Sequence, residues 1–289
     1  MKTVCRWLAA AACVMLWNCA SGNETAYTDA EPAQRDTAAF EKRVRTLAAA
    51  CPRLKIETLG VVGYSGGFEA PLECLHVAPQ GPVKRRVLVV GGVHGDEPAG
   101  VESALRLAGN LCGDPGRWPD TAFEIVPLLN PWGWSRDRRR NRDGRDINRD
   151  FASFDTQEAR LLRDFIQLRR YDLALDLHED PAARGFYLYQ YDRADQTLSR
   201  RIIDRIARMG FEPEENVRMV ILRTDHGLID APRWGLHYMR LTRQLSLANV
   251  LRLEHSPAVF TVETPPHLEL NERCRIHLTA LEMLVDAIP

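Results

Sequence analysis

Short unbroken apolar runs alternate along this chain with segments whose apolar residues recur every three or four positions. The runs predict buried strands and the wider spacing predicts helices. Thr37 to Ala50, with Phe40, Val44 and Leu47 in phase, predicts the first helix. Lys55–Gly63 and Leu72–Val77 predict strands flanking the turn Tyr64-Ser65-Gly66-Gly67. Val87-Leu88-Val89-Val90 is a buried strand stopped by Gly91-Gly92, and a helix from Pro98 to Leu111 follows, with proline at its first position. Phe123–Leu129 is a second buried strand, ended by Asn130-Pro131. Beyond it the pattern predicts a helix over Thr156–Arg169, strands over Leu173–Leu177 and Phe186–Gln190, and a helix over Gln196–Met209. Helical spacing over Leu245–Glu254, a strand over Ala258–Val262 and a helix over Arg273–Ile288 close the chain. Strands alternating with helices predict an α/β fold: one domain, residues 37–289, with a mixed, mostly parallel sheet flanked by helices on both faces.

The amino terminus departs from this pattern. Lys2 and Arg6 precede the apolar run Trp7–Leu16, too short to span a bilayer, so residues 1–19 read as an export signal. Cys19 after Leu16-Trp17-Asn18 resembles a bacterial lipobox, although Trp17 and Asn18 are larger than the usual residues there; ordinary cleavage after Ala20 is the rival. Residues 20–36 are polar and aperiodic and read as a tether. The expectation is an exported protein of the periplasm or cell envelope, lipid-anchored at Cys19.

Composition adds limits. The chain of 289 residues is 45% hydrophobic with a net charge of −1, enough to bury a large core and no reason to expect nucleic acid as a partner. Of its seven cysteines, Cys5, Cys13 and Cys19 lie in the leader. Cys51, Cys74, Cys112 and Cys274 lack CxxC spacing, which argues against a zinc-thiolate site and leaves three disulfide connectivities or buried thiols open.

The chemistry gathers at the predicted strand ends, where open α/β sheets hold their ligands. His94 and Glu97 follow the first buried strand, and His178 follows another. Two imidazoles and a carboxylate form a zinc set with a fourth position left for water. Glu263 follows the last strand, before Thr264-Pro265-Pro266, and a carboxylate there can move a proton. The stretch Arg136–Phe151 is rich in arginine, but its aspartates break the charge run and no aromatics interleave, against a nucleic-acid patch. Guanidinium groups on a loop after a buried strand suit a carboxylate or an oxyanion.

The order His94-x-x-Glu97, Asn130-Pro131-Trp132-Gly133, Arg139-x-Asn141, Asp146-x-Asn148-Arg149-Asp150-Phe151, His178, Glu263-Thr-Pro resembles the zinc carboxypeptidase family. The Asp-Leu-His-Glu-Asp sequence is most similar to its compact bacterial branch, with the murein-peptide amidases and the rapid-encystment carboxypeptidase group. The resemblance implies a carboxypeptidase-like fold and one Zn2+ per chain on His94, Glu97 and His178. It implies Glu263 as general base and acid and Arg139 as oxyanion partner, with Arg138 and Arg140 close enough to leave the register open by one. Asn148 and Arg149 would hold the substrate's terminal carboxylate, and Asp146 would orient a zinc histidine. The family's active-site tyrosine has no motif here; Tyr238 lies in the matching part of the chain. Glu254, Asp225 and Asp230 are candidates for an acidic specificity floor or members of a solvated face, and Glu179 and Asp180 flank the third ligand.

The function expected is a metallocarboxypeptidase of the cell envelope, acting on peptides or muropeptides with a free carboxylate. Two alternatives stand beside it: an aspartoacylase or succinylglutamate desuccinylase type of deacylase, and a zinc-binding relative without turnover.

Overall fold

The computed structural model describes residues 27, 33–191, 195–219 and 222–288. The leader, Cys19 and most of the expected tether lie outside the described residues. Helix α1 (Thr37–Ala50) is capped by Asp36, whose side chain accepts from the amides of Ala38 and Ala39. Strands β1 (Leu54–Gly63), β2 (Glu69–Val77) and β3 (Arg85–Gly91) follow, then α2 (Pro98–Gly113), β4 (Thr121–Val126) and α3 (Pro131–Arg136). A single 3-10 turn (Ile147–Arg149) precedes α4 (Gln157–Ile166), β5 (Leu173–Glu179), β6 (Tyr187–Tyr191) and α5 (Thr197–Ala207). A small hairpin, β7 (Arg218–Met219) and β8 (Leu222–Arg223), leads to β9 (Leu228–Ala231) and α6 (Arg233–Leu241). The short helix α7 (Leu247–Val250) runs into a π-turn (Leu251–His255) before β10 (Val259–Thr264) and α8 (Leu270–Asp286) close the chain.

Eight strands form one sheet in the order β1-β2-β4-β3-β5-β10-β6-β9. The middle strands β4, β3, β5 and β10 run parallel, while β2 pairs with β4, and β6 with β10, antiparallel. That is the mixed α/β architecture the sequence pattern predicts. Alternation along the strands divides the core in two. Val87, Val89, Leu175, Leu177, Phe260 and Val262 face one cluster with α1, α2, α5 and α8; Leu88, Val90, Ala174 and Val259 face another with α4 and α7. Both clusters are closed to solvent, so the central strands are apolar on both sides, as buried parallel strands must be.

Two boundaries moved. β10 runs through Glu263 to Thr264, and Pro265, which has no amide to donate, ends it. β5 likewise carries His178 and Glu179 within the strand. β9, α6 and the β7–β8 hairpin were not anticipated: each is short and lacks a long amphipathic run. A disulfide joins Cys51 to Cys112, tying the end of α1 to the last turn of α2, while Cys74 and Cys274 are free and buried. No helix among the described residues is long and apolar enough to cross a membrane.

Candidate metal centre and active site

The carboxyl ends of β3, β5 and β10 converge on one crevice. After β3, Gly92 takes a left-handed conformation (φ +64°) and reverses the chain into the loop that carries His94. Glu97 occupies the N-cap position of α2, beside Pro98. His94 and Glu97 thereby meet His178 of β5, and their ligand atoms all lie within 4.8 Å of one another. His94 Nδ1 is 2.6 Å from Glu97 Oε1, and His178 Nδ1 is 2.7 Å from Glu97 Oε2.

The opposite nitrogens are committed elsewhere. His94 Nε2 is 3.1 Å from Asp146 Oδ1, and His178 Nε2 is 3.1 Å from Asp176 Oδ2. A carboxylate beside each Nε2 can hold a proton there, which would leave each Nδ1 lone pair free for a bound ion. Two imidazole nitrogens and one carboxylate, buried and aimed at one another, are a donor set that fits a divalent ion such as Zn2+. Burial raises the pKa of Glu97, but His94 and His178 outweigh it and hold the carboxyl well below the usual range. Asp146 is treated the same way: burial opposes its charge, and His94 and Arg139 hold it down.

Glu263 stands next to His178 in β10, paired with it in parallel register. Burial raises its carboxyl well above the usual range; Glu97, Asp180 and Asp176 add to the shift against the opposing pull of His178. Arg139 aims its guanidinium at the cluster, Nη1 3.2 Å from Glu97 Oε1 and Nη2 3.4 Å from Asp146 Oδ2. Its neighbours turn elsewhere: Arg140 donates to the Gly144 carbonyl at 3.0 Å and Arg138 lies over the Tyr27 ring. Asn148 Nδ2 is 3.4 Å from His178 Nε2, and its Oδ1 accepts from the Leu247 amide. Arg149 is exposed on the same 3-10 turn, available to an incoming anion.

Two glycines allow the loops to meet. A Cβ on Gly95 would lie 2.0 Å from the Gly133 carbonyl carbon, and one on Gly133 would lie 2.4 Å from Asn130 Nδ2. Asn130 in turn caps α3 through the Gly133 amide and donates to the Arg139 carbonyl. The Asn-Pro-Trp-Gly sequence is therefore the frame of the arginine loop.

Asp176 escaped the sequence reading, although Asp-x-His on a strand is a usable signal, since alternate residues share a face. Glu179 accepts from the Ala99 amide at 2.6 Å and pairs with Arg273, which anchors the start of α2 and so Glu97. Tyr238 is half-buried on α6, where its carbonyl accepts from the Thr242 amide. The tyrosines set beside Glu263 are those of β6: Tyr187 is its antiparallel partner, with Tyr189 and Tyr191 on the same face. Burial, with Glu263 nearby, raises the pKa of all three, so they are neutral donors. Asp225 pairs with Arg200 and Glu254 with Arg240, both at the surface, while Asp230 accepts from Gln196.

The eight-stranded sheet, with its crevice at the carboxyl ends of β3, β5 and β10, has counterparts among known proteins. The family model of the succinylglutamate desuccinylase/aspartoacylase catalytic domain matches residues 83–217. Carboxypeptidase 2 of Trichophyton tonsurans is 34% identical over 108 residues, 36% of this chain and 20% of that protein. The chain thus spans about a fifth of the length of such curated relatives. A Shewanella denitrificans protein provisionally classed as a metallopeptidase superposes with a TM-score of 0.70 at 22% identity, covering 88% of this chain and 91% of that one. A metallo-carboxypeptidase from Burkholderia cenocepacia gives 0.66 at 16% identity, covering 88% and 70%. The two superpositions show that the chain shares the fold of these metallopeptidases.

Proposed function

We infer that the protein is a zinc-dependent metallocarboxypeptidase of the bacterial cell envelope, which removes a terminal residue from peptides or muropeptides. The observation that carries this reading is the cluster of His94, Glu97 and His178 with Glu263 beside it on the adjoining strand. His94, Glu97 and His178 would hold the metal, which when bound supplies Lewis acidity at the scissile carbonyl and makes water a competent nucleophile near neutral pH.

The chain's own groups do the rest. Glu263 takes the proton of the attacking water at its carboxylate and delivers it to the nitrogen of the leaving amine. Arg139, already turned toward the cluster, donates to the oxyanion that develops on the carbonyl oxygen. Arg149, with Asn148 beside it, binds the free carboxylate of the substrate and so fixes which amide bond reaches Glu263.

The match to the desuccinylase/aspartoacylase model favours a second reading, a deacylase of N-acyl amino acids. Such a substrate also presents a free carboxylate to Arg149. Residues 1–19 support the envelope reading because they resemble an export signal with Cys19 as lipid acceptor, and the Cys51–Cys112 disulfide fits an oxidising compartment.

One experiment separates these readings: metal analysis of the purified protein together with hydrolysis of peptides, muropeptides and N-acyl amino acids. The expected result is one zinc per chain and release of the terminal residue from free-carboxylate peptides or muropeptides but not from their amides. Preference for N-acyl amino acids selects the deacylase, and a protein without stoichiometric metal overturns both. Palmitate incorporation lost in Cys19→Ala tests the anchor.

A further inference from the structure

The residues just ahead of α1 do not leave the domain. The amides of Gln34 and Arg35 both donate to the Ser135 carbonyl, at 2.6 and 2.9 Å, and the Tyr27 amide donates to the Arg142 carbonyl at 2.8 Å. Tyr27 stacks on Trp132 with ring centroids 5.3 Å apart. Tyr27 and the Gln34–Arg35 segment therefore both lie against the arginine loop, between Trp132 and Arg142.

Arg35, just ahead of α1, reaches through to the site. Its Nη1 donates to the Gly95 carbonyl at 3.1 Å and to the Trp134 carbonyl at 2.8 Å, and Nη2 donates to Asp137 Oδ1 at 2.6 Å. The guanidinium also lies over the Trp134 ring, which Phe40 of α1 packs against at 5.5 Å between centroids. Gly95 directly follows His94, and its own amide donates to the Arg139 carbonyl at 3.3 Å. One residue, Gly95, thus links the His94 loop to Arg139 through its N–H and to Arg35 through its carbonyl.

A planar fork with several fixed donors can hold two carbonyls and a carboxylate at once, which a lysine ammonium on a flexible stem cannot do in the same geometry. The two loops touch backbone to backbone at Gly95 and Gly133, where any looseness moves His94 against Arg139. Displacements of about 1 Å cost on the order of 10²-fold in rate when reacting groups must be held in register. We propose that Arg35 is a positioning residue: its guanidinium clips the loop carrying His94 to the loop carrying Arg139, and so sets the geometry of the metal centre.

The consequence for rate rests on the carboxypeptidase reading; the clip itself does not. The test uses the full chain with Arg35→Ala and Arg35→Lys, read by hydrogen exchange of the metal-free protein and by kinetics of the zinc-loaded protein. Arg35→Ala is expected to lose amide protection in residues 92–97 and 133–142 together while β5 keeps its protection. Its kcat should fall about 10- to 100-fold with KM within about threefold, because the oxyanion is held more poorly while the Arg149 contact persists. Millimolar guanidinium should restore both signals in Arg35→Ala, and Arg35→Lys should recover them only in part. Unchanged protection of residues 92–97 in Arg35→Ala overturns the proposal, as does a uniform loss of protection across the sheet without rescue. A wild-type protein inactive on every substrate overturns the functional reading alone, since the exchange measurement still decides the clip.

Discussion

Glu263 and His178 are cross-strand partners in the parallel pair of β10 and β5, side chains on the same face of the sheet. Neither rides on a loop. The distance between Glu263 and His178 is therefore set by the strand ladder, about 4.8 Å between backbones. His94 and Glu97 come from a loop and a helix start, so half of the site is fixed by the sheet and half by the clasp of two loops.

The first prediction concerns Glu263. Glu263→Gln keeps the shape of the side chain and removes the proton acceptor. The variant should bind zinc with the wild-type stoichiometry and lose about 10²- to 10⁴-fold in kcat, the usual contribution of a positioned base. Metal content and single-turnover rates on the preferred substrate check this. A variant with undiminished kcat would place the base elsewhere.

How much of this was legible in the sequence follows from how local each signal is. His94 and Glu97 sit three positions apart after an apolar run, so local spacing alone brings them together. His178 and Glu263 needed only the rule that strands deliver their last side chains to the rim. Asp176 was hidden because a single carboxylate inside the apolar stretch Leu173–Leu177 looks like a break in a run; its meaning depends on which face it shares with His178. The Cys51–Cys112 bond joins residues 61 apart and could not be chosen among three pairings. Arg35 lies in a polar, aperiodic stretch, and nothing in such a stretch says that it packs. β9 was missed for the same physical reason in reverse: a four-residue strand at the edge of the sheet needs little apolar pattern of its own.

The carboxylates behind the histidines give a second prediction. Asp146 and Asp176 each hold one Nε2, and Asp176 is buried with its Oδ1 lacking a partner among the described residues. Removing either charge loosens the tautomer that points Nδ1 inward. Asp146→Asn and Asp176→Asn should each weaken zinc binding by about 10- to 100-fold. Competition against a chromophoric chelator measures this, and an unchanged dissociation constant would show that the partners are ornamental to the metal.

A third prediction follows from the Cys51–Cys112 bond, which closes a loop spanning β1, β2, β3 and most of α2. Opening a loop of that length releases chain entropy in the unfolded state, about 4 kcal/mol by the loop-closure relation. The double variant Cys51→Ser/Cys112→Ser should lower the urea midpoint accordingly, and reductant should shift the wild type but not the variant. Cys74 and Cys274 are buried free thiols, so they give reductant nothing to act on.

The last prediction is a pH dependence that belongs to the core. His277 of α8 is buried; its Nε2 is 3.3 Å from Thr264 Oγ1, and its Nδ1 has no partner among the described residues. Burial disfavours the charged imidazole and pushes its pKa from 6.5 down to about 3, with the His178 charge acting in the same direction. The unfolded chain therefore takes up a proton as pH falls through 6.5, while the folded chain does so only near 3. The stability contributed is fully present above the unfolded value and is lost progressively as pH falls between the two. At pH 5 the loss amounts to about 2 kcal/mol, one and a half pH units of linkage. His277→Gln removes the titration whatever it does to packing, so the test is the slope of unfolding free energy against pH rather than its absolute value. Between pH 7 and pH 5 the wild type should lose about 2 kcal/mol more than the variant by urea titration. Equal slopes would mean that His277 already carries its proton, or an unseen partner for it, inside the folded core.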